Sequence, residues 1–217
     1  MTSSVTTMPE ERKLARYSSP TAMALPSILG MYAFAAATFI VAAHMAHWYG
    51  NPQSAIILFP LVLIFGGLAQ FYAGAWAFRT NDALALAMHG TWGSFWTAYG
   101  ILEILYATGR VVRPQGAFPE LGFWFIAIAA ITWAIAAASR ENTAVTTVLA
   151  LLAIGSTLEG IGEVAGMGWL RMIAAYFLIG AALVAWYVAS ALLMRFGKRE
   201  KTQPATPVVR SESARVA

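Results

Sequence analysis

The stretch AIILFPLVLIFGGLAQFYAGAWAF, residues Ala55–Phe78, runs for 24 residues without a charged side chain. A helix rising 1.5 Å per residue needs about 20 apolar residues to cross roughly 30 Å of hydrocarbon, so this segment is long enough to span a bilayer. Working outward, five further apolar stretches of similar length are read at Leu25–His47, Ala83–Ala107, Phe118–Ser139, Ala144–Glu163 and Trp169–Arg195. The connectors are short. The sequence therefore predicts an all-α integral membrane protein in which six transmembrane helices form a compact bundle around a narrow path.

The composition agrees. Hydrophobic residues make up 59% of the 217-residue chain and charged residues only 11%, whereas a soluble domain is about one-quarter charged. That balance excludes a disordered chain and a nucleic-acid-binding protein, because the 14 basic residues form no dense stripe on a polar domain. The absence of cysteine excludes disulfides, thiolate nucleophiles, Cys-ligated zinc and iron–sulfur clusters. No HExxH, GxSxG or DxD-type constellation appears, so the chain is not read as an enzyme, and no cofactor or metal is expected.

Residues 1–24 read as a polar cytoplasmic tail, 25–195 as the six-helix transmembrane domain, and 196–217 as a disordered cytoplasmic tail in which Pro204 and Pro207 stand among polar residues. Lys and Arg near the helix ends set the orientation. With the N-terminus inside, that side carries Arg12, Lys13, Arg16, Arg79, Arg140, Arg195, Lys198, Arg199 and Lys201, against Arg110, Arg113 and Arg171 outside. Both termini are thus placed in the cytoplasm, and the protein in the cell membrane as a multi-pass plasma- or inner-membrane protein.

Within the spans, polar residues carry the functional argument. His44 and His47 lie late in the first helix and His89 in the third. Intramembrane histidines serve as proton relays or haem ligands, but His44 and His89 fall in opposite leaflets, which disfavours one bis-His haem. Glu159 and Glu163 are one turn apart on one face near the outer end of helix five, with Glu103 near the outer end of helix three. With His44, Glu159 and Glu163 are candidate proton-responsive groups; the plain alternative is that the acids snorkel to the interface or pair with Arg171 and Arg110. Glycines at Gly66, Gly67, Gly74, Gly90 and Gly93 permit close helix packing. In Leu25-Pro26-Ser27-Ile28-Leu29-Gly30, Pro26 suits a helix start whose free N–H groups favour a small anion.

At these residues the chain resembles the acetate uptake transporter family, the relatives of the succinate–acetate permeases. The resemblance rests on Phe65 through Gln70 to Gly74, on Gly93-Ser94-Phe95-Trp96, on Gly30, Phe34, Thr38, Phe39 and His44, on Leu151 through Gly155, and on Ala185-Trp186-Tyr187. It implies a six-helix protomer, usually assembled as a homo-hexamer, that moves acetate and other small monocarboxylates, with succinate in some members, either linked to protons or as the protonated acid. The family's hydrophobic constriction falls on Phe34, Trp92 and Val145, where Trp92 replaces a Tyr and Val145 a Leu. The family's opening motif is degenerate at Leu25–Gly30, and an acidic residue of helix two is replaced by Ala77. Ser27, Thr38, Gln70, Thr91 and Ser94, with the Trp92 indole, are the candidate polar groups lining the path. A channel for another small solute such as ammonium or urea, and outside transport a b-type haem carrier, are the competing readings. The expected partners are a small carboxylate substrate, the lipid bilayer and further copies of the chain, with no nucleic acid.

Overall fold

The computed structural model describes residues 26–51 and 53–202, with side chains through Gly197, and every regular element among them is helical. The expected N-terminal tail, residues 1–24, and residues 203–217 lie outside the described residues. Helix α1 spans Pro26–Met45, α2 Ser54–Leu61 and α3 Gln70–Arg79, with a π-helical segment, Val62–Ala69, joining α2 to α3. These three pieces make one continuous span, Ser54–Arg79. Then follow α4 (Ala83–Ala107), α5 (Pro119–Ala138), α6 (Thr143–Ala165) and α7 (Gly168–Thr202). Five of the six spans begin and end within two residues of the sequence expectation.

Local chemistry sets these boundaries. The Asp82 carboxylate accepts from the Ala85 N–H at 2.9 Å and starts α4, and Asn142 accepts from the Val145 N–H at 3.3 Å and starts α6. Gly166, at φ +65°, takes the left-handed conformation that stops α6. Pro60 removes one backbone donor inside α2 and crowds the carbonyl one turn back, and the helix widens to π geometry immediately afterwards. The last helix corrects the expected boundary at Arg195. It continues to Thr202, because a single Gly197 costs a helix only about 1 kcal/mol and the chain reaches no proline before Pro204.

Five spans are long and apolar enough to cross a membrane by length and composition. The remaining one, α4, has 25 residues but is interrupted by His89, Ser94, Thr97 and Glu103. The spans pack in a ring, each against its neighbours: α5 on α6, α6 on α7, α7 on α1, α1 on the α2–α3 span, and that span on α4. The ring closes from α4 back to α5 through aromatic contacts, Phe95 lying 5.2 Å and Tyr99 6.2 Å from Phe125 between centroids. Small residues set the helix separations. A Cβ on Gly93 would lie 2.5 Å from the Phe71 backbone nitrogen, and one on Gly74 would lie 2.8 Å from that of Gly90, so α3 and α4 touch backbone to backbone. On the other side Ala174, Ala175, Ala181, Ala182, Ala185 and Ala189 of α7 are fully buried. Large apolar side chains face outward, among them Leu61, Phe78, Phe123, Trp169 and Tyr187. This apolar girdle belongs in lipid.

Candidate functional site

Three cavities follow one another through the bundle. The widest, about 540 Å³, opens at the end where α1 and α4 finish and α7 begins. It is walled by His44, His47, Tyr99, Glu103, Arg113 and Arg171 together with Val41, Met45 and Phe59. Val41, Met45 and Tyr99 also wall a second cavity of about 20 Å³, which reaches Thr38, Trp96 and Ser156. Trp92 and Leu152 in turn separate that cavity from a third, of about 10 Å³, which holds Phe34, Gln70 and His89. Each inner cavity has room for about one water, so the path is closed in this conformation.

The pinch between the inner cavities is aromatic. Phe34 and Trp92 meet edge-to-face at 6.2 Å, and Trp92 continues into Phe95 at 5.0 Å. Trp92 does not hang freely. Its indole N–H donates to the Thr132 hydroxyl at 3.1 Å, and that hydroxyl donates to the Ile128 carbonyl at 2.8 Å, so the ring is tied to α5. The indole donor is therefore engaged and not offered to a solute, correcting that part of the expectation.

Several proposed path-lining residues stand elsewhere. Val145 is buried but borders none of the three cavities; α6 presents Val148, Leu149 and Leu152 there. Val145 and Leu152 are seven residues apart and share a face, two turns apart in depth. Ser94 is exposed and donates its hydroxyl back to the Gly90 carbonyl at 2.8 Å. At 100° per residue it points about 200° away from Trp92, to the outside of the bundle. Thr91 and Ser27 are half-buried and border none of the three cavities, Ser27 lying two turns before Phe34. Thr38 and Gln70, by contrast, are buried and border the second and third cavities respectively.

Neutral polar groups remain open along this route. The Thr38 and Ser156 hydroxyls, the Trp96 indole nitrogen, both Gln70 amide atoms and both His89 ring nitrogens are buried without a hydrogen-bond partner among the described residues. Buried polar groups are normally satisfied, so their concentration along one line marks a route for hydrogen-bonding solutes. Thr132, Ser156 and His89 are absent from the site expected from sequence. Thr132 is signalled by being the lone hydroxyl inside the apolar α5, and Ser156 interrupts the apolar run of α6.

The wide cavity carries the charge. Arg171 Nε donates to Glu159 Oε1 at 3.0 Å, and its Nη2 lies 2.8 Å from Glu163 Oε1, so one guanidinium bridges both acids of α6. Glu103 pairs with Arg113, not with Arg110, because the loop after α4 folds back and lays Arg113 over the Tyr106 ring at 4.7 Å. The carboxylates are buried, whereas the Arg113 and Arg171 side chains keep 49% and 36% exposure. Arg113, Arg171 and Glu103 border the cavity, while Glu159 and Glu163 lie behind Arg171. His44 sits at the rim, its Nδ1 3.2 Å from the Tyr49 carbonyl.

Residues 8–207 match the GPR1/FUN34/yaaH family. The succinate-acetate/proton symporter SatP of Escherichia coli K12 is 23% identical over 82% of this chain and 94% of its own. The ammonia transport outward protein 3 of Saccharomyces cerevisiae is 24% identical over 82% of this chain and 65% of its own. Among solved structures, that of the bacterial acetate channel SatP superposes with a TM-score of 0.74 over 85% of this chain and 99% of that one, at 19% identity.

Proposed function

The chain belongs to the GPR1/FUN34/yaaH family, and from that premise we propose that it is a transporter or channel, not an enzyme, for acetate and other small monocarboxylates. The observation that carries this reading is the line of three cavities pinched at Phe34, Trp92 and Leu152 and bordered by neutral hydrogen-bonding groups. The names of the bacterial relatives support the choice of cargo.

The geometry suggests how such a path works. The half-exposed guanidiniums of Arg113 and Arg171 border the wide cavity and offer hydrogen-bond donors to an entering carboxyl group. Beyond it the walls are apolar, and taking a carboxylate out of water there costs several kcal/mol. A protonated acid costs less, and each hydrogen bond to Thr38, Ser156 or Gln70 offsets about 1 kcal/mol. The Phe34–Trp92 contact excludes continuous water, and its opening admits one small acid at a time. The proton travels on the cargo in this scheme, and no carboxylate relay is required. We place both termini in the cytoplasm of a plasma or inner membrane, so that the wide cavity faces outward, and read the assembly as a homo-oligomer, a hexamer by family resemblance.

Uptake of radiolabelled acetate into proteoliposomes, with the flux into empty liposomes subtracted, tests the function. Flux well above that background supports it; flux equal to background refutes it. A second reading, an ammonium path, is favoured by the name of the yeast relative. Ammonium that crosses while acetate does not would establish that reading instead.

A further inference from the structure

Four of the buried polar atoms without a partner, those of His89 and Gln70, gather at the third cavity, the one farthest from the wide cavity. His89 of α4 is fully buried, and neither ring nitrogen has a hydrogen-bond partner among the described residues. Gln70, the first residue of α3, is equally buried, and both its amide atoms are likewise unpartnered. The two side chains border one cavity of about 10 Å³. The imidazole lies against Gly30 of α1, where an added Cβ would stand 2.5 Å from each ring nitrogen. Gly30 therefore makes the space this ring occupies. Leaving two such side chains unsatisfied in an apolar wall is costly unless something visits them.

We propose that His89 and Gln70 form an inner binding subsite for the protonated, uncharged form of a small carboxylic acid; the proposal rests on the monocarboxylate reading above. A neutral imidazole offers one donor and one acceptor, and a carboxamide offers the same pair of functions. A carboxylic acid is their complement: its O–H donates to the bare His89 nitrogen while its carbonyl accepts from the Gln70 amide. A carboxylate, which only accepts, can take the Gln70 and imidazole N–H groups but leaves Gln70 Oε1 and the bare imidazole nitrogen without a donor. None of the nine residues bordering the cavity carries a fixed charge to favour the anion. From α1, α3 and α6 no titratable side chain reaches it, and Asp82, the cap two turns earlier on α4, is the carboxylate nearest to His89 along the chain. Met31 and Met88 border the cavity, and their flexible side chains let it expand to admit the acid.

The test uses purified protein in liposomes, with flux into empty liposomes subtracted. Acetamide is uncharged, of similar size to acetic acid, and carries both a donor and an acceptor. The wild type is expected to pass acetamide in a swelling assay, and its acetate uptake at fixed total acetate is expected to fall about tenfold per pH unit above the pKa of the acid. His89→Leu and Gln70→Leu should each lose about tenfold or more of both fluxes, and His89→Gln, which keeps a donor and an acceptor, should recover most of it. Wild-type protein that carries acetate but excludes acetamide overturns the subsite alone, even if the leucine variants do not fold. Folded leucine variants with wild-type flux overturn it too. Wild-type protein that carries no acetate refutes the transport reading first, before any variant is compared.

Discussion

Replacing Phe34 with alanine removes one side of the pinch. Phe34 is 3% exposed, borders the cavity of about 10 Å³ and meets Trp92 edge-to-face at 6.2 Å, Trp92 bordering both that cavity and the one of about 20 Å³. Deleting the ring leaves on the order of 100 Å³ in a site that relaxes only in part; at about 24 cal/mol per Å³ the cavity alone adds about 2 kcal/mol to the lost transfer term, for a total of about 3–5 kcal/mol. Removing the ring opens the smaller inner cavity toward Trp92 and, past it, the larger one. A closed path thereby becomes a continuous one, and the barrier that depends on moving Phe34 aside is removed. A reduction of about 1.4 kcal/mol in that barrier raises flux about tenfold. Larger acids, which need the widest opening, gain more than acetate does. Initial uptake rates for a series of C1 to C4 acids in proteoliposomes measure this, alongside thermal unfolding in detergent. The account expects faster acetate flux and a disproportionate rise for butyrate in a folded but destabilised protein. A folded variant with wild-type rates and a wild-type butyrate-to-acetate ratio refutes the assignment of Phe34 to the pinch.

Three other perturbations probe the supports of this arrangement. Thr132→Val keeps the shape but leaves the Trp92 indole N–H without its acceptor, at a cost of about 1–3 kcal/mol, and should loosen size selection and shift tryptophan fluorescence; unaltered emission and selectivity would show that the tether is dispensable. Arg171→Gln strips Glu159 and Glu163 of their shared counter-charge, with a loss on the order of 3 kcal/mol in thermal stability, and replacing both acids by glutamine in the same chain should restore much of it; no rescue would mean that Arg171 acts by packing. Gly93→Ala places a methyl 2.5 Å from the Phe71 backbone nitrogen, which no rotamer change relieves, so monodisperse protein should be lost; a stable variant would show that α3 and α4 separate readily.

The spans were legible because hydrocarbon imposes a length on uncharged runs, and Ala55–Phe78 satisfies it without exception. The end of α7 was not, since Gly197 and the charges after it resemble a stop but forbid nothing a helix requires. The π-helical segment after Pro60 depends on how that span packs against α1 and α4, which no periodicity reports. In the site, the pairing of Arg171 with Glu159 and Glu163 was readable because the acids share a face and a short turn brings α7 beside them. Arg113 was missed in favour of Arg110 because the direction of a loop side chain is settled by tertiary contacts. Leu152 was missed for a different reason. Val145 came from the family resemblance, and it and Leu152 point the same way from different turns. Ser94 fails on direction itself, being two residues from Trp92 and hence nearly opposite. His89 and Gln70 each stood out as polar residues in apolar spans, but that they share one cavity follows only from the packing of α3 and α4 on α1.

The central claim is that solute passes between Phe34, Trp92 and Leu152. Because the chain contains no cysteine, a single Leu152→Cys substitution introduces one unique thiol at the pinch with no background to remove. Acetate uptake by that variant in proteoliposomes, before and after treatment with a small thiol reagent, reads the claim directly. The account predicts that modification blocks uptake and that excess acetate slows the modification. Stoichiometric labelling of the introduced thiol with uptake unchanged would contradict it.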